Sequence, residues 1–243
     1  MIDVARALLE PLLNGSSRQV DVLDMLAEHR DVLPSSPEVL DLGAGDGTIA
    51  RTLSRRLPNM EYRGLDIENS PEVSARKPSH LTFLTYDGIH MPFDDASFDL
   101  VFSKQVLEHV RHPDAVLAEV RRVLRPGGLF VGSCSQLEPY HSHSIFNWTA
   151  YGVVTVFADH GLRVRRLAPG VDGLTLMLRR LGDKKDYSPF FANEGLLNYF
   201  LEMTGNTRHP GDVGFRKLLT AGHLVWVAGV DEDPDCRQGE VSE

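Results

Sequence analysis

A short apolar run, Val39-Leu40-Asp41-Leu42, breaks into Gly43-Ala44-Gly45-Asp46-Gly47 and resumes as a helical pattern through Ile49, Leu53 and Leu57. A buried strand, a glycine-rich turn and a helix, in that order, constrain the fold more than any other stretch of the chain. Such a strand needs cover on both faces, and such a helix crosses back over the sheet in the right-handed sense. The alternation then repeats. Residues 62–67, 81–86, 98–102, 129–134 and 162–167 read as further strands, and residues 113–124 and 149–160 as helices. A short helix follows Pro71. Pro113 suits a first helical turn, and Gly161 a helix stop.

Two amphipathic helices within residues 1–33 precede this unit. Ile2, Ala5, Leu8, Leu9 and Leu12 share one face, and Val20, Leu23, Leu26 and Ala27 another. Asn14-Gly15-Ser16-Ser17 separates them, and Pro34-Ser35-Ser36-Pro37 ends the pattern. A last strand, residues 223–230, follows a helical stretch over 170–221 that is too long for a simple hairpin loop. These patterns predict one α/β domain. Its sheet is doubly wound, Rossmann-like, mostly parallel and seven-stranded, with an antiparallel last strand and helices on both faces. Within it, residues 1–37 are N-terminal helices, 38–169 a nucleoside-binding core, 170–221 a helical insertion, 222–230 the last strand and 231–243 an acidic tail. In the insertion, Phe190-Phe191 and Tyr199-Phe200 fall at helical spacing with Leu196, Leu197 and Met203, which predicts a core face.

Bulk properties narrow the partners. The chain has 243 residues and a formal net charge of -9, so no basic field is available to hold a phosphate backbone. This argues against nucleic acid. No run approaches the ~20 apolar residues of a membrane span. The two cysteines, Cys134 and Cys236, make no disulfide framework, which fits a reducing, cytoplasmic setting.

In open α/β sheets, ligands sit beyond the carboxyl ends of the strands. The Gly43–Gly47 turn suits the amino-acid end of a nucleoside ligand or a pyrophosphate equally well. Asp66, closing Gly64-Leu65-Asp66-Ile67, can accept both hydroxyls of a ribose. NAD-binding proteins use the same device. Three features separate the two. Thr48 stands where the dinucleotide fingerprint needs its third glycine. Tyr86-Asp87-Gly88 offers an acid for the amine of adenine and space beside it. Leu124-Arg125-Pro126-Gly127-Gly128 stops a helix and turns tightly into the next strand. Asp94 and Asp95 read as solvated turn residues.

Together with Met91 to Val101 and Val106-Leu107-Glu108-His109-Val110, these motifs resemble class I S-adenosylmethionine-dependent methyltransferases, of the small-molecule, type 11-like group. The resemblance covers residues 38–135 strongly. It implies that Asp41, Gly43, Ala44 and Gly45 hold the methionine end of S-adenosyl-L-methionine, and that Asp66 holds the ribose with Ile67 beside the adenine. Asp87 and Gly88 would meet the adenine amine. Ser103 and Lys104 would bring backbone near the sulfonium. It implies no metal.

The acceptor side is less defined. His109, His141 and His143 lie after strands whose ends should face it, and each is a possible base. His109 also reads as a structural histidine, and the other two as surface loop residues. The fourth strand ends in Phe102-Ser103-Lys104-Gln105, without the Asn-Pro-Pro-Tyr or Asp-Pro-Pro-Tyr pattern of enzymes that methylate amino groups in DNA or protein glutamine. A small acceptor is expected, such as a sugar, a phenol or a polyketide, and a homodimer is possible. The insertion and the N-terminal helices are expected to cap its pocket. An NAD-dependent dehydrogenase or epimerase and a non-catalytic cofactor-binding domain are the rival readings.

Overall fold

The computed structural model describes residues 2–13, 18–76, 81–138, 142–182, 187, 189–190, 195–203 and 210–231. Asn14 to Ser17, His141, Phe191 and most of the acidic tail fall outside them. Strands β1 (Glu38–Leu42), β2 (Glu61–Ile67), β3 (Thr82–Tyr86), β4 (Phe98–Lys104), β5 (Leu124–Ser135), β6 (Arg163–Pro169) and β7 (His223–Gly229) form one sheet. Their order is β3-β2-β1-β4-β5-β7-β6. The first five strands in that order pair in parallel, and β7 runs antiparallel to both β5 and β6. The seven-stranded, mostly parallel sheet with an antiparallel last strand is therefore observed.

Helices α1 (Ile2–Leu9), α2 (Val22–Glu28), α3 (Thr48–Arg56), α4 (Pro71–Ser74), α5 (Pro113–Val123) and α6 (Ala150–Asp159) surround it. Helices α7 (Gly173–Leu181), α8 (Leu196–Met203) and α9 (Pro210–Thr220) occupy the stretch between β6 and β7. Several caps follow from the sequence. Asp21 accepts from Leu23 N–H, Thr149 from Gly152 N–H and Asp172 from Thr175 N–H. Gly161, with φ 70°, ends α6 as expected.

The core divides across the sheet. On one face Val116, Val120, Phe130, Phe157 and Trp226 pack together, and on the other Met25, Leu26, Leu53, Val131 and Val227. Alternation along β7 sends Trp226 and its neighbours to opposite faces. Phe130, Phe157 and Trp226 form a ring cluster with centroids 5.4–5.6 Å apart.

Three expectations need correction. β4 extends to Lys104, because Ser103 and Lys104 pair with Gly132 and Ser133. They therefore end the strand rather than follow it. Leu124 to Gly128 belongs to β5: Leu124 already pairs with Phe98, and the turn survives as a break in register before Leu100 meets Leu129, with Gly127 at φ 79°. Tyr199 and Phe200 are 57% and 54% exposed, and Met203 also faces solvent, so they are not core. The inward side of α8 is polar instead: Gly195 N–H and Asn198 Nδ2 donate to Gln19 Oε1, at 3.2 and 3.4 Å. Asp95 stands exposed in its turn as expected, and there accepts from Arg122 at 2.9 Å.

Candidate functional site

The site assembles where β1, β2 and β3 end. After β1 the chain turns through Gly43, whose N–H donates to Leu65 O at 2.8 Å, and Ala44, whose N–H donates to the same oxygen. The turn is thereby tied to β2 before α3 begins. Gly43 and Gly45 both adopt positive φ, 76° and 50°, but for different reasons. A Cβ on Gly43 would overlap the Val106 side chain, so this glycine serves packing within the protein. A Cβ on Gly45 would meet nothing nearer than Glu72 Cβ at 3.5 Å. Gly45 is thus the less crowded of the two.

The difference is measurable. Gly43→Ala is expected to cost about 2–3 kcal/mol of stability, from positive φ and overpacking together. Gly45→Ala is expected to cost about 1 kcal/mol, the backbone term alone. Urea midpoints of both variants check this, and equal losses would contradict the assignment.

Asp66, at the end of β2, spans two backbone donors. Its Oδ2 accepts from Gly45 N–H and its Oδ1 from Ile67 N–H, each at 2.7 Å. A carboxylate has about four lone-pair directions, so capacity remains for two further donors. Burial raises its pKa, with the two N–H groups opposing. Arg76 completes the rim: its Nε and Nη2 donate to Gly45 O at 2.9 and 2.6 Å, and its guanidinium lies 4.1 Å from the centre of the Phe83 ring. Sequence reasoning did not identify Arg76, which lies 31 residues from its partner.

Asp41 lies beneath the turn and is buried. Tyr62 Oη donates to its Oδ2 at 2.7 Å. Burial pushes its pKa up to about 7, against the Tyr62 hydrogen bond and with the help of the Asp66 charge. Ile67 is exposed, and its Cγ2 comes within 3.6 Å of where a Gly88 Cβ would stand, so these two residues share one patch. Asp87 is exposed and closes its own turn. Its Oδ1 accepts from Ile89 and His90 N–H, and its Oδ2 lies 2.9 Å from His90 Nδ1. These bonds, His90 foremost, hold the Asp87 carboxyl down at about 2.

Ser103 is fully buried, and its Oγ has no hydrogen-bond partner among the described residues. Lys104 is exposed and its Nζ lies 3.7 Å from Asp21 Oδ2. His109 is half-buried in the 3-10 turn Leu107–His109, where its N–H donates to Val106 O. His143 is exposed, and His141 lies outside the described residues. The structure thus brings Asp41, Gly43, Ala44, Gly45 and Asp66 into one cluster, and Ile67 and Gly88 beside it.

A nucleoside carrying an amino-acid tail fits this donor set on two observations. A Cβ-sized contact fits beside Gly45 without the overlap met at Gly43, and Asp66 keeps acceptor capacity at the strand end. A cavity of about 240 Å³ lies at the ends of β4 and β6 and the start of β7. Val20, Asp21, Lys104, Gln105, Ser133 and His223 are among its walls.

Residues 40–132 match a family described as a methyltransferase domain. The phthiotriol/phenolphthiotriol dimycocerosates methyltransferase of Mycobacterium tuberculosis is 40% identical over 97 residues, 38% of this chain and 36% of that protein. The chain thus matches about a third of that relative's length. Among solved structures, the phosphoethanolamine N-methyltransferase 2 of Haemonchus contortus in complex with S-adenosyl-L-methionine superposes with a TM-score of 0.56 at 16% identity, covering 86% of this chain and 52% of that one. The [4+2]-cyclase SpnF superposes with a TM-score of 0.58 at 19% identity, covering 87% and 80%. At these identities the likeness establishes the fold.

Proposed function

We propose that this chain, whose residues 40–132 are a methyltransferase domain, binds S-adenosyl-L-methionine and transfers its methyl group to a small-molecule acceptor. The observation that carries the reading is Asp66, held between the Gly45 and Ile67 N–H groups at the strand end with acceptor capacity to spare. Asp41, Gly43, Ala44 and Gly45 would hold the methionine end, and Asp66 the ribose hydroxyls. Ile67 and Gly88 would flank the adenine, and Asp87 would accept its amine. Ser103 and Lys104 would lie nearest the sulfonium. When bound, the cofactor supplies an electrophilic methyl group, which leaves the protein to position the acceptor, exclude water and manage one proton.

Gln19 supports a capping role for the N-terminal segment and residues 170–221. Its Nε2 donates to Phe190 O at 2.8 Å while its Oε1 accepts from Gly195 and Asn198. The neighbouring Val20 and Asp21 are walls of the cavity. Gly170 and Val171 line the same cavity, which supports a cap built from both segments.

Calorimetric titration of S-adenosylhomocysteine and NAD tests the reading. Micromolar binding of the former and none of the latter is expected, and the reverse would overturn it. The superposition on a cyclase favours one second reading, since this fold alone does not fix a reaction. Tight S-adenosylhomocysteine binding with no transfer across a broad acceptor panel would select it.

A further inference from the structure

Seven polar side chains converge beside the cavity from strands and helices far apart in sequence. β7 is antiparallel, so its first residue, His223, stands at the same edge as the last residues of β4 and β5, and pairs with Ser135. His223 Nε2 lies 3.1 Å from Glu138 Oε2. Glu138 is buried, accepts from Ser135 Oγ at 2.8 Å, and has Arg180 Nη2 of α7 3.4 Å from its other oxygen. Ser135 Oγ also lies 3.0 Å from Glu108 Oε1, and the Gln105 amide nitrogen donates to Ser135 Oγ at 3.2 Å and Glu108 Oε1 at 3.0 Å while its oxygen accepts from Ser133 Oγ at 3.2 Å.

The backbone fixes His223 as firmly as its side-chain partner does. His223 N–H donates to Val171 O, His223 O accepts from Gly170 N–H, and the preceding Gly222 O accepts from Gln136 and Leu137 N–H. A carboxylate only accepts, so a neutral imidazole facing Glu138 carries its hydrogen on Nε2 and its lone pair on Nδ1; the Gln105 amide lies 3.1 Å from the same Nε2. No described residue hydrogen-bonds Nδ1. His223 lines the cavity, as do Lys104 and Gln105. Val106, which follows Gln105, is the side chain that packs on Gly43, so the cavity and the glycine turn share one connecting segment.

We propose that His223 is the general base of an acceptor site for a neutral hydroxyl compound, with Glu138 as its positioning residue. This rests on the methyl-transfer reading above. His223 takes the hydroxyl proton as the acceptor oxygen bonds to the methyl carbon, and the methyl–sulfur bond breaks with its electron pair leaving on sulfur. Glu138 holds the tautomer and stabilises the imidazolium that forms. The charged groups facing His223 are Glu138, Arg180 and Glu108 on one side and the Lys104–Asp21 ion pair in the cavity wall on the other.

Four measurements on the full chain test this. Wild type is expected to methylate members of a panel of alcohols and phenols, with kcat falling at acid pH. His223→Gln is expected to lower kcat about 100-fold or more while S-adenosylhomocysteine affinity stays within threefold, and to lose the acid limb. Free imidazole should restore turnover to His223→Ala. Without any acceptor or cofactor, nitrogen NMR of the wild type should show His223 as the Nε2–H tautomer, and Glu138→Gln should shift it toward a mixture. Three results overturn the proposal: His223→Gln retaining kcat within threefold, transfer to amines alone, or an Nδ1–H tautomer in the wild type. Failure of wild type to bind S-adenosylhomocysteine would instead defeat the methyl-transfer reading, which keeps the two failures distinct.

Discussion

Asp66→Ala is expected to weaken S-adenosylhomocysteine binding about 100- to 1000-fold. A hydrogen bond to a charged group contributes about 1.5–3 kcal/mol, and Asp66 would accept two from the ribose. Discounting for water that replaces the carboxylate at a half-exposed site leaves about 3–4 kcal/mol, which is the stated range. The loss has a second source. Gly45 and Ile67 N–H both donate to this carboxylate, and the alanine variant removes the side chain that ties the turn to the end of β2. Asp66→Asn keeps one oxygen acceptor and should lose less, about 10-fold. Asp87→Ala is the internal comparison. Its carboxylate is exposed and already accepts from two backbone N–H groups, so its removal should cost under 10-fold. Calorimetry on the three variants decides the matter. An alanine variant within threefold of wild type would remove Asp66 from the site.

This ranking shows what the sequence made legible and where it stopped. The glycine turn, the strand-ending acids and the apolar runs are local signals, and they located the sheet and one half of the site. Strand limits depend on pairing partners, which is why β4 and β5 run further than their own patterns suggest. The outward face of α8 was misread for a related reason. Tyr199, Phe200 and Met203 have the spacing of a core stripe, but Gln19, some 180 residues away, rewards the polar side with hydrogen bonds. His223 was read only as the first residue of a strand. Its link to Glu138 spans 85 residues and exists because β7 reverses direction and inserts between β5 and β6. The antiparallel reading of that strand already implied that its first residue stands at the ligand edge. That geometric step was the usable signal.

Asp41→Asn is expected to change how stability depends on pH. Asp41 is buried and its carboxyl is pushed up to about 7 from an ordinary 3.8, chiefly by desolvation. The folded chain therefore binds this proton more tightly than the unfolded chain. Below about pH 3.8 both states hold it, and the contribution to stability is fully present. Between 3.8 and about 7 the unfolded chain has released the proton and the folded chain has not, so stability falls as pH rises. Above about 7 the loss is complete and amounts to at most about 4 kcal/mol. From pH 5 to pH 8 the wild type should thus lose about 2–3 kcal/mol relative to Asp41→Asn, read from urea midpoints of both proteins. Parallel pH curves would show that Asp41 titrates normally. The same proton links to the ligand. The ammonium of an amino-acid tail placed near Asp41 favours the carboxylate, so binding must expel the proton. Affinity of the wild type for S-adenosylhomocysteine should then rise several-fold from pH 5.5 to 7.5, with proton release visible as a buffer-dependent binding enthalpy. Asp41→Asn should show neither effect. If the variant keeps the wild-type pH slope, the methionine end lies away from Asp41, and the residue serves only to brace Tyr62 beneath the turn.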